Sequence, residues 1–181
     1  MPTRIRRFQI HSGEGLHTLA DPELILSIRS GRIFKDDAIG LAQHGVLNLH
    51  SGILPTYRGV MPTFRALAAG EPVIGTTLHW ICDSTIDTGP AIALTEQVVR
   101  RDWSYLRHVW TIYDDGVGRI LKAVEDVQRG RLTAPRDSHS WLSEDGQYFS
   151  YPHDAALDGF EAQGWRLFDP EDMQALGLGA L

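Results

Sequence analysis

The sequence predicts one α/β domain built on a mixed, mostly parallel sheet. Short apolar runs of strand length alternate with segments of helical period. The polar residues cluster just past the ends of those runs. One long segment late in the chain repeats apolar residues at three- and four-residue steps, with a glycine as its stop. With 181 residues, 43% hydrophobic and 22% charged, the chain is long enough for one core and too short for two comfortable ones.

The elements follow in order. Glu23 to Ile28 is an apolar run ending before Ser30-Gly31, as a buried parallel strand would. A short helix is expected over Asp36 to Gln43, with Gly45 as its stop. Val46 to His50 reads as a second strand, feeding a loop from Ser51 to Gly59. Pro62 suits the first turn of a helix that stops at Gly70. Thr76 to Ile81 has β-branched and aromatic strand character, and a loop from Cys82 to Pro90 leads to a strand at about Ala91 to Val99. Leu106 to Val127 carries the helical period up to Gly130. Gly116 and Gly118 weaken that helix, so packing must hold it. Beyond about Arg131 the chain turns polar from Pro135 to Gly146. A short strand is expected near Tyr148 to Pro152, then an amphipathic segment with Phe160, Trp165, Leu167 and Phe168. Residues 1–131 are read as the main domain and 132–181 as an extension packed on it, too small for its own core.

A net charge of −6 argues against a nucleic-acid-coating surface. The start of the chain is basic but has no signal-peptide apolar stretch, and no run approaches a membrane span. Cys82 is the single cysteine, so no intrachain disulfide is available and a reducing cytoplasm is the expected location.

Asn48-Leu49-His50 is the first chemistry-bearing segment. In a strand, residues 48 and 50 share a face, with Leu49 behind, which presents an amide donor beside an imidazole. Acyl transfer uses such a pair, one group for an oxyanion and one for a proton. Two polar residues near a strand end are more often structural. The loop Ser51 to Gly59 has glycine at both ends of a central proline and reads either as a cleft wall or as a plain connection with Arg58 in solvent. Asp87, in Ile86-Asp87-Thr88-Gly89-Pro90, either raises a histidine pKa and fixes its tautomer or is an ordinary turn residue.

Together, the string Gly45 to Gly59, then Gly75-Thr76-Thr77-Leu78-His79, then Ile86 to Pro90, with Ser30-Gly31-Arg32-Ile33-Phe34 upstream, resembles the formyltransferase family in motif and order. The resemblance covers about Pro22 to Gly130. It implies a Rossmann-like domain that moves a formyl group from 10-formyltetrahydrofolate to an amine. Asn48 would then hold the formyl oxygen, His50 would handle the proton, and Asp87 would support His50. Arg32, Ile33, Asp83 and Ile86 would border the folate, with Ser51, Leu54 and Pro55 shaping the neighbouring cleft. No metal is implied. His79, in a strand ahead of the site, reads as structural.

The family's domain normally opens with further strands and helices that about twenty residues here do not supply, so an N-terminally truncated domain is expected. Uncovered strand edges make a homodimer a natural outcome. Gly52 stands where the family usually has an apolar residue or proline. The extension does not resemble the β-barrel of the methionyl-tRNA enzymes, which favours a small-molecule amine as partner alongside folate. The alternatives are a formyltetrahydrofolate hydrolase and an inactive folate-binding or interaction module. A metal hydrolase built on His44, His50, His79 and Asp87 is more distant, lacking tight histidine spacing.

Overall fold

The computed structural model describes residues 12–18, 21–135 and 146–177. Most of the polar stretch from Pro135 to Gly146, and the basic start of the chain, lie outside them. Helix α1 (Gly13–Thr18) precedes β1 (Ile25–Ile28), α2 (Asp36–Ile39), β2 (Val46–His50), β3 (Tyr57–Gly59), α3 (Pro62–Ala68), β4 (Val73–Ile81), β5 (Ala91–Val98) and α4 (Tyr105–Gln128). The extension holds β6 (Gln147–Phe149), α5 (Asp154–Ala162) and α6 (Pro170–Ala175). Among the described residues no helix is long and apolar enough to cross a membrane.

The sheet is mixed, as expected, with strand order β1-β2-β4-β5. The balance differs from the expectation of mostly parallel pairing. Within this four-stranded sheet only β1 and β2 run parallel, while β2–β4 and β4–β5 are antiparallel. For β4 and β5 the reason lies in their connection: the short Cys82–Pro90 loop cannot make the crossover that parallel strands need. β1 is an edge, and Leu26 and Ile28 on it are 44% and 45% exposed.

Alternation sorts β2 and β4 into two faces. Leu47, Leu49, Leu78 and Trp80 point one way and meet Ile120, Ala123 and Val127 of α4 in one core cluster. Asn48 pairs with His79 and His50 with Thr77 on the other face. Val46 shares that second face but is sealed by Ile25, Phe34 and Ala38, so its remainder is left open. Gly116, a helix-weakening residue, explains how closely α4 sits. A Cβ there would lie 2.9 Å from Thr76 Oγ1 and 3.0 Å from a Leu49 methyl. Close packing outweighs the propensity lost.

The helix expected to reach Gln43 stops at Ile39, with Gly40 as its cap. Residues beyond it spend their backbone bonds elsewhere: Gln43 N–H donates to Pro22 O and His44 N–H to Glu23 O, stitching this turn to the entry of β1. Gly45 serves as the left-handed step into β2 rather than as a helix stop.

Leu132 and Ala134 pack the start of the extension against the core cluster of β2, β4 and α4, and two further contacts follow. β6 pairs parallel with β3, and Val60 N–H donates to Phe149 O at 2.8 Å. Farther on, Phe160 and Trp165 are buried with Phe64, Leu67, Ile74 and Ile112. The free N–H groups of the first turn of α4 are met there too, Tyr105 by Arg166 O and Leu106 by Leu167 O. Ser104 caps α4 and donates its hydroxyl to the buried Asp172 Oδ2 at 2.5 Å. Phe160→Ala is expected to cost ~3–5 kcal/mol of stability, as for other buried large-to-small changes. Urea unfolding measures it, and a loss below ~1 kcal/mol would mean α5 contributes little to the core.

Candidate active site

The open face of β2 and β4 forms the floor of a cavity of about 590 Å³. Asn48, His50 and His79 rise from it, and Asp87 descends from the β4–β5 loop to meet them. Register decides the first contact, because Asn48 lies directly across from His79. Its Nδ2 is 3.0 Å from His79 Nε2. His79 Nδ1 faces Trp80 O at 2.9 Å, and a carbonyl only accepts, so Nδ1 carries the hydrogen and Nε2 receives the Asn48 amide.

Asp87 is the point where these groups join. Its Oδ2 accepts the Gly59 N–H at 2.8 Å and stands 3.4 Å from His50 Nδ1. Its Oδ1 is 3.4 Å from His79 Nε2 and receives the Asn48 amide at 3.5 Å. The backbone at Asp87 is left-handed, with φ of 56°, a region that Asp tolerates better than most residues. Gly89 allows the approach: a Cβ there would sit 1.8 Å from Trp80 O. Arg58 Nε donates to Ile86 O at 3.0 Å, so this arginine ties the β2–α3 loop to the Asp87 loop instead of standing in solvent.

His50 is buried, and its Nε2 donates to Tyr57 O at 2.7 Å. Burial lowers the His50 pKa below 6.5, and the pull of Asp87 and of the Tyr57 carbonyl only partly offsets it. For Asp87, burial acts to raise the carboxyl pKa. The adjoining imidazoles of His79 and His50 and the Gly59 N–H outweigh it, leaving the group below its usual 3.8. The arrangement at neutral pH is therefore a neutral imidazole whose open Nδ1 faces an ionised carboxylate. A proton arriving at Nδ1 would meet a counter-charge already in place.

Of the residues expected to border a ligand, Arg32, Ile33, Ser51, Asp83 and Ile86 line the cavity. Leu54 and Pro55 are not among its lining residues. Leu54 N–H is bonded to Thr77 Oγ1, which donates in turn to Gly52 O, and this folds Leu54 into the core behind the loop. His44 is exposed ahead of the opposite end of β2, away from His50 and His79. Among the described residues no group of three or more His, Cys, Asp or Glu side chains is placed to hold a metal ion.

Three features escaped sequence reasoning. His79 joins the site because of strand register, which the sequence does not state, although its G-x-T-x-H setting marked the position. The Gly59 N–H is a backbone group with no side-chain signal. Tyr105, Tyr113, Tyr148 and Tyr151 line the cavity from two distant parts of the chain.

The formyl transferase family model matches residues 13–104, half of the chain. Methionyl-tRNA formyltransferase of Thermus thermophilus is 34% identical over 106 residues, 59% of this chain and 34% of that protein. The Kosmotoga olearia methionyl-tRNA formyltransferase is 37% identical over 134 residues, 72% of this chain and 42% of that protein. The chain thus spans well under half the length of these curated relatives. Among solved structures, the formyltransferase PseJ of Anoxybacillus kamchatkensis is similar with a TM-score of 0.60 at 21% identity, covering 96% of this chain and 82% of that one. A sugar N-formyltransferase from Shewanella aligns with a TM-score of 0.62 at 18% identity, over 78% and 55% of the two chains. At such identities the structural likeness is one of fold.

Two outcomes test the geometry. A Cβ at Gly52 would lie 2.5 Å from Pro62 Cβ and 2.9 Å from His50 Nε2. Gly52→Ala should therefore break the His50–Tyr57 bond in a folded protein, moving the His50 imidazole NMR signals; unmoved signals refute the crowding. The second outcome concerns pH. A His50 pKa depressed in the fold means the unfolded chain binds the proton first. Stability from this group is full above about pH 6.5 and declines as pH falls through that value toward the folded pKa. His108, lowered mainly by burial, acts in the same direction, whereas Asp87 loses its contribution only below 3.8. Melting temperature should fall between pH 7.5 and 5.5, and His50→Gln should flatten part of that slope. An identical slope in the variant would rule out a buried neutral His50.

Proposed function

Because the chain belongs to the formyl transferase family, we propose that it moves a formyl group from 10-formyltetrahydrofolate to a small-molecule amine. Asn48, His50 and Asp87 carry the step. The observation that supports this reading most is the convergence of these three side chains on the floor of one cavity, beside Arg32, Ile33, Asp83 and Ile86. Two solved relatives in fold add to it. PseJ of Anoxybacillus kamchatkensis was crystallised with tetrahydrofolate and a formamido sugar nucleotide, and HypX of Aquifex aeolicus with tetrahydrofolic acid.

The amine nitrogen attacks the formyl carbon directly. A C–N bond forms to the amine, the bond from that carbon to N10 breaks, one proton leaves the amine and one arrives at N10. Asn48 supplies the donor for the oxygen that gathers charge. Its Nδ2 is held by His79 at 3.0 Å and reaches Asp87 only at 3.5 Å, near the limit of a hydrogen bond. Exchanging that weak contact for the formyl oxygen costs little. His79 thus orients Asn48 without touching the reacting atoms. His50 accepts the amine's proton at Nδ1, and Asp87 stabilises the imidazolium so formed. Arg32 and Ile33, with Asp83 and Ile86, hold the donor's pteridine.

Asn48→Ala should keep 5-formyltetrahydrofolate binding and lower kcat by about 10²–10³-fold, the usual effect of losing one oxyanion donor. Tryptophan fluorescence reads the binding and formamide production the rate. A variant as active as the parent would sink the assignment of Asn48. Formate release at the same rate with and without amine would show water to be the acceptor and replace transfer with hydrolysis.

A further inference from the structure

We propose that the C-terminal extension forms the acceptor side of the cavity, and that Tyr148 and Tyr151 are specificity-determining residues selecting an amine carried on a ring. The inference rests on the formyl-transfer reading above and names the class of acceptor it would use.

Position is the first argument. A Cβ built on Gly59 would lie 2.7 and 2.9 Å from atoms of the Tyr148 ring, so this ring rests on the Gly59 backbone. The same Gly59 donates its N–H to Asp87 at 2.8 Å. Any molecule lying against Tyr148 is therefore next to the carboxylate that faces His50. The segments assigned to the donor, around Arg32 and around Asp83 to Ile86, line the cavity from other parts of the chain.

The second argument is exposure. Tyr148 is 49% and Tyr151 71% exposed, yet both line the cavity. Four of the chain's five tyrosines line it. Aromatic faces held open in this way suit a planar base or the C–H face of a sugar, and tyrosine presents them at low entropic cost.

The third argument is rigidity. Phe149, between the two tyrosines' segments, stacks on Tyr57 with ring centroids 5.9 Å apart, and Arg65 Nη2 donates to Ser150 O at 3.0 Å. Gly146 fits against Pro55 O, where a Cβ would be 1.8 Å away. The wall is built before any ligand arrives, which is what discrimination between acceptors requires.

The test compares glucosamine, a ring amine, with glycinamide, a ringless one, using 10-formyltetrahydrofolate as donor. The parent should favour glucosamine in kcat/KM. The double variant Tyr148→Ala, Tyr151→Ala should lose that preference by about tenfold, through KM for glucosamine. Its affinity for 5-formyltetrahydrofolate should stay unchanged. Tyr148→Phe with Tyr151→Phe keeps the rings and should keep the preference, which separates loss of stacking from loss of fold. A parent with no ring preference, an alanine variant that retains it, or a parallel loss of 5-formyltetrahydrofolate affinity would each overturn the proposal alone. A folded parent that binds no 5-formyltetrahydrofolate and formylates neither amine would instead bring down the underlying reading, and this proposal with it.

Discussion

The carboxylate of Asp87 is the constraint on which the rest of the site depends. It accepts from the Gly59 backbone and the Asn48 amide and stands 3.4 Å from both His50 and His79. A buried carboxylate is costly unless its oxygens are satisfied, and here the groups around it come from three different strands. Gly59 ends β3, Asn48 and His50 lie on β2, and His79 lies on β4. Burial and polar satisfaction thus force these segments into one arrangement, and Gly89 removes the obstacle that a Cβ would place against β4. Burial keeps His50 neutral, while Asp87 offers it a ready counter-charge.

A second interlock sits away from that floor but governs its rim. The first turn of α4 has N–H groups that no helix can satisfy by itself, and the chain beyond residue 165 supplies their carbonyl partners. Ser104, the cap of α4, bonds to Asp172 in the first turn of α6. Tyr105, one residue past that cap, lines the cavity. The extension therefore bears on the cavity twice, through the seating of α4 and through β6 on β3. Its aromatic residues Phe160 and Trp165 explain the anchoring; the placement of Tyr148 and Tyr151 explains why anchoring bears on the proposed chemistry.

Much of this was legible in the chain. Period-two and period-3.6 apolar patterns located β2, β4 and α4 to within a few residues, because burial of one face is what those periods record. The Asn48–His50 spacing already put both side chains on one face. Less legible were the features set by partners remote in sequence. Nothing local to Leu54 shows that Thr77 will bind its N–H and turn it inward. Nothing local to Arg58 shows that it will meet Ile86 O. The helix expected to reach Gln43 stopped early for the same reason, since residues past Ile39 bond to Pro22 and Glu23.

By itself, then, the sequence determined the main strands and the long helix, the family resemblance and the residue types of the proposed chemistry. All of these follow from local pattern and composition. Tertiary structure alone decided that His79 orients Asn48, that a backbone N–H completes Asp87, that the sheet is more antiparallel than parallel, and that four tyrosines share one cavity. Each depends on strand register or on contacts between distant segments. Those are fixed by burying apolar faces and satisfying polar groups across the whole fold, a condition that no single stretch of chain contains.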